Sequence, residues 1–71
     1  MKTISGKKFI KILERHGWSL SRIRGSHHIY MKTGCPETIS VPIHGNELLK
    51  IGLLNHFMKI AGLSEDDIRK S

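Results

Sequence analysis

Apolar residues in this 71-residue chain repeat at helical spacing near both ends and at every second position between them. Phe9, Ile10, Ile12 and Leu13 follow Ser5, an N-cap residue type, and Gly17 supplies a left-handed stop; the pattern predicts a helix over about 6–16. Residues 18–24 read as a strand, but Leu20 and Ile23 fall on opposite parities, the signature of a bulge or a frayed end. Two cleaner alternations follow. Over 27–32, one face holds His27, Ile29 and Met31 and the other His28, Tyr30 and Lys32. Over 38–44, Ile39, Val41 and Ile43 oppose Thr38, Ser40, Pro42 and His44. The turn-rich run Lys32–Glu37 suits the loop of a hairpin, and Pro42 favours an edge or a strand end. A second helix opens near 47–50 and runs to about 61, with Leu49, Leu53, Leu54, Phe57, Met58 and Ile60 on a broad apolar face. Gly62 closes it. Ser64, followed by Glu65, Asp66 and Asp67, caps a short final helix to about 70. The order predicts one α+β domain over 1–71, with helices on one face of a three-stranded antiparallel sheet.

The faces carry a chemical consequence. If Ile29, Met31, Ile39, Val41 and Ile43 pack against the helices, then His28, Tyr30, Lys32, Ser40 and His44 share the open face, with His27 inward or at the rim. The corner between the first two strands concentrates the chemistry: Arg22 and Arg24 lead into the Gly25–Ser26 turn, and two histidines leave it. Imidazole, with an unperturbed pKa of about 6.5, exchanges a proton near neutral pH. Arginines beside it draw an anion to the same place. The other histidines read more plainly, His16 as a partner of the helix dipole and His56, beside Asn55, as a solvent-facing side chain. Lys7, Lys8, Lys11 and Arg15, outside the first helix, are within reach of phosphate in principle but read as a solvated face.

Charge sharpens this picture. Twelve Lys and Arg stand against six Asp and Glu, a net +6, and the sequence pI is about 9.9. Residues 1–60 hold ten basic and three acidic side chains, so the excess lies in the body of the domain and not in the acidic C-terminal stretch. That is the footprint of a phosphate-backbone binder. A single Cys35 forms no internal disulfide, and one thiol with scattered histidines lacks the paired spacing of a zinc site. No apolar run approaches the length of a membrane span or of a signal peptide, which predicts a cytoplasmic protein.

Three segments resemble the HicA (YcfA-like) toxin family: Leu13–Trp18 (LERHGW), Arg22–Tyr30 (RIRGSHHIY) and Val41–Leu63 (VPIHGNELLKIGLLNHFMKIAGL). The resemblance implies a double-stranded-RNA-binding-domain-like α-β-β-β-α fold, ribosome-independent cleavage of mRNA, growth arrest, and neutralisation by a HicB antitoxin. The family's catalytic histidine lies directly after the Gly-Ser turn, which maps to His28 or His27; the outward parity above selects His28. His44 and Lys50 match recurrent family positions. The chain departs from the family at Ile51-Gly52, where many members have Gly-Thr, and at Thr33–Pro36, where the usual loop is His-Pro-Asp-Gly.

RNA carries its own nucleophile, the 2′-hydroxyl, so a nuclease that moves a proton and steadies a phosphate needs no metal or other cofactor. The expected site is therefore His28, with His27 next, as proton-transfer group. Arg22, Arg24 and Lys32 would hold the phosphodiester, and Ser26, Tyr30, Ser40, His44 and Lys50 would line the RNA path. Two other classes share the same composition: a module that grips double-stranded RNA without cutting it, and a structural partner of an acidic protein.

Overall fold

The computed structural model describes residues 3–70. Its elements run α1 (Gly6–Arg15), β1 (Ser19–Arg24), β2 (His27–Met31), β3 (Ile39–Pro42), α2 (Ile51–Ala61) and α3 (Glu65–Arg69). The strands form one antiparallel sheet in the order β1-β2-β3. Helices cover one face of it, the expected α+β architecture.

Local chemistry explains each boundary. Ser5 caps α1 by accepting the Lys8 N–H at 3.2 Å. Gly6, the first helical residue, is buried against β3, where an added Cβ would fall on the Pro42 carbonyl oxygen. Gly62 ends α2 at φ 68°, and the Leu63 N–H donates to the Met58 carbonyl at 2.9 Å. Ser64 and Asp67 form a reciprocal capping box at the head of α3. The start of α2 lies later than its apolar pattern predicts. Leu48 is held in a bridge to Ser5, and the Leu49 N–H donates to the Ile4 carbonyl at 2.8 Å. That backbone is committed to the strand-like entry of α1, so the helix begins only at Ile51.

The core lies between α1, α2 and the sheet. Phe9 of α1 stacks on Phe57 of α2 with ring centroids 5.7 Å apart, and Leu13, Ile39, Val41 and Leu54 are completely buried. Burial of this kind contributes about 1.5–3 kcal/mol per large side chain. The bulge in β1 is present: Leu20 pairs with Tyr30 and Arg22 with Ile29, leaving Ser21 as the extra residue. Its effect is to bring Leu20 and Ile23 into phase despite their opposite parities.

The face of β2 is the reverse of the expectation. Ile39 and Val41 do point inward, but their register partners are Tyr30 and His28, while Ile29 stands opposite the exposed Ser40. Cross-strand partners share a face. Tyr30 is accordingly buried at 2 % exposure, and Met31, expected inside, is 47 % exposed on the other side. The physical reason is a partner for the phenol. Tyr30 Oη donates to the Glu14 carboxylate on α1 at 2.9 Å, so its large ring enters the core with its polar tip satisfied.

Candidate functional site

The β1–β2 corner is a two-residue hairpin loop. Gly25 takes φ 59° at its first position and Ser26 a negative φ, the combination suited to a type II′ turn. The turn closes on Arg24 and His27, which are register partners, and Arg22 stands opposite Ile29 one step further along. The Ser26 carbonyl accepts the Ile43 N–H at 2.7 Å, which ties the turn to the chain leaving β3.

Because β2 is inverted, His27 is the histidine on the open face of the sheet, exposed, flanked by Arg24 on one side and Pro42 on the other. Arg22 and Ser40 flank Ile29 on the same face. Neither arginine has an ion-pair partner among the described residues, where the pairs are His16–Asp67 at 3.9 Å and Arg69–Asp66. The corner is thus an exposed imidazole beside two arginines without ion-pair partners among the described residues. Cross-strand side chains in such a sheet start about 4.5–5.5 Å apart at Cβ, within reach of one phosphate.

His28 occupies the helix side, half-buried, with Ile23 and Val41 as its register partners. The criterion of outward projection that favoured His28 therefore selects His27. Tyr30 is corrected outright. It lines no groove; burial, then the hydrogen bond and negative charge of Glu14, push its pKa up to about 12. Lys32 does not join the corner either. It follows the far end of β2 and its stem lies over Gly17.

The remaining expected residues, His44 and Lys50, come together at a second place. Both are exposed and line a shallow hollow with Pro42, Glu47, Leu48, Leu49 and Leu53, bordering the corner through Pro42. The roles of Glu14 and Pro42 escaped the sequence reading, because only the register of α1 and β3 against β2 reveals them. Among the described residues no three His, Cys, Asp or Glu side chains gather where an ion would be held, and no helix is long and apolar enough to cross a membrane.

A small basic α+β domain of three strands and covering helices, with a histidine–arginine corner on the bare face of its sheet, is the class that fold and site define. The family model described as HicA toxin of bacterial toxin-antitoxin matches residues 6–63, most of the chain, and the protein belongs to the HicA toxin family. It is thus a toxin of a toxin–antitoxin system, with an antitoxin as its general partner. No curated protein matches the chain.

Proposed function

We propose that this toxin is a metal-independent endoribonuclease that cleaves mRNA, with His27 as its proton-transfer group. The observation that carries the reading is the exposed His27 standing opposite Arg24 on the open face of the sheet. Neutral imidazole takes the proton of a ribose 2′-hydroxyl, the O2′–P bond forms, the P–O5′ bond breaks, and the departing 5′-oxygen takes a proton from solvent. Arg24 and Arg22 lie where the charge of the phosphorane develops, and fixed cations there stabilise it. Ser40 borders the same face, Ser26 sits in the turn, and past Pro42 the side chains of His44 and Lys50 stand at a hollow that Leu48, Leu49 and Leu53 also line. One positioned general base contributes about 10²–10⁴-fold. The antitoxin, on this reading of the HicB type, neutralises the toxin by covering the His27 corner in the cytoplasm.

The test is cleavage of a defined RNA in the presence of EDTA by the wild type and by His27→Ala and His28→Ala. Cleavage should fall about 10²–10⁴-fold in His27→Ala while its melting temperature is kept. His28→Ala should lose stability, through lost contacts between β1 and β3, more than turnover. Wild-type rates from His27→Ala, with activity abolished only in a folded His28→Ala, would return the assignment to His28. RNA that is bound and left whole by the wild type would make the protein a binding module.

A further inference from the structure

The strongest cationic feature outside the corner is the outer face of α1. Lys7, Lys11 and Arg15 recur every fourth residue and form a single stripe about 12 Å long at 1.5 Å rise per residue. With Lys8, Ser5 and Asn46 they line one shallow hollow, every residue of which is polar. None of the four cations has an ion-pair partner among the described residues. Like charges at this spacing repel and destabilise a helix, so the stripe is a cost to the fold. The first turn of α1 carries no acidic residue, which leaves the positive end of its dipole uncompensated at the same hollow.

We propose that this hollow is a second RNA site, holding the phosphate backbone of the substrate strand away from the point of cleavage. Resting on the endoribonuclease reading, it extends that reading to how the strand is held. Lys, Arg, Ser and Asn are the side chains that contact phosphate and sugar. A docking surface for protein would instead show an apolar centre depleted in Lys, and this hollow has neither. Position supports a single continuous strand. Gly6 packs on the Pro42 carbonyl, and Pro42 is the register partner of His27. A backbone lying along α1 reaches the catalytic corner by passing round the β3 edge.

The experiment measures binding of a labelled, fully 2′-O-methylated single-stranded RNA, which lacks the nucleophile and stays intact, as a function of salt. Cleavage of a long RNA and of a dinucleoside monophosphate is followed alongside. The triple variant Lys7→Gln/Lys11→Gln/Arg15→Gln should lower the slope of log K against log[salt] by about 2, at roughly 0.7 per cation for single strands. It should lose kcat/KM on the long RNA at least tenfold, keep the dinucleoside rate, and melt no lower than the wild type, since the repulsion along the stripe is relieved. An unchanged slope in a variant whose parent binds and cleaves RNA would overturn the second site alone. Displacement of the RNA by polyglutamate at equal charge concentration would overturn it in favour of an acidic protein ligand. A wild type that neither binds nor cleaves RNA would overturn the nuclease reading as well.

Discussion

At the scale of single residues, Tyr30 decides how the sheet faces. A phenol buried on a donor bond to a carboxylate resists ionisation, and its pKa rises from 10.0 to about 12. A group whose folded pKa is raised contributes stability that is complete below its unfolded pKa and lost as pH rises through the folded one. Unfolding should therefore become easier between pH 10 and about 12. Tyr30 is the only tyrosine in the chain, so tyrosinate absorbance reports this one group. A midpoint near 10 in the folded protein would contradict the buried pair. Tyr30→Phe should cost about 1.5–3 kcal/mol in chemical denaturation, the range for a hydrogen bond to a charged group, and leave RNA cleavage untouched. The same residue explains why one histidine could not be told from the other in the sequence. Alternation sorts β2 into two faces but does not say which is inside. Ile29 and Met31 look like the inner set until Glu14, far away in sequence, supplies an acceptor for Tyr30. Ile39 and Val41 needed no such partner, since everything on the opposite parity of β3 is polar or proline, and that face was legible from the start.

At the scale of elements, α1 is seated by a close approach and α3 by its cap. Gly→Ala in a helix ordinarily stabilises by up to about 1 kcal/mol. At Gly6 the new methyl would meet the Pro42 carbonyl and Ile43 Cδ1 instead. Gly6→Ala should therefore destabilise by about 1–3 kcal/mol, the usual cost of overpacking, as read by urea denaturation. A stabilised variant would show that α1 shifts freely on β3. The cap of α3 was visible in the run Ser64–Asp67, and Ser64 accepts the Asp67 N–H while Asp67 accepts the Ser64 N–H at 2.8 Å. The Ser64 N–H and then the Ser64 hydroxyl, both donating to Asp67 Oδ2, hold that carboxyl below its usual range. Its contribution is present above pH 3.8 and lost as pH falls through the lowered folded value. Ser64→Ala should cost about 1 kcal/mol at neutral pH, with the deficit shrinking in acid. The start of α2 was not legible, because the apolar residues Leu48 and Leu49 fit a helical stripe equally well. What excludes them is a backbone bridge to Ser5, a contact that spans most of the chain.

At the scale of the whole molecule, charge and edge exposure act against each other. β1 is an edge strand with all six residues exposed, and the bulge at Ser21 places Leu20 and Ile23 on one side of it, Ile23 at 54 % exposure. An open apolar edge invites pairing with another copy. The net charge of +6, with Arg22 and Arg24 on that strand, keeps copies apart at low ionic strength. Screening shortens from about 10 Å at 0.1 M salt to about 3 Å at 1 M, so added salt removes the repulsion and leaves the apolar edge. The free toxin should accordingly scatter as a monomer in dilute buffer, near the Cα radius of gyration of 11.1 Å, and associate as salt is raised. Ile23→Lys should suppress that association while changing stability by no more than about 0.5 kcal/mol, as expected for an exposed site. Small-angle scattering across a salt series reads both proteins directly. Association of the Ile23→Lys variant to the same extent as the wild type would place the sticky surface elsewhere, with the exposed pair Leu48 and Ile51 at the entrance to α2 next in line.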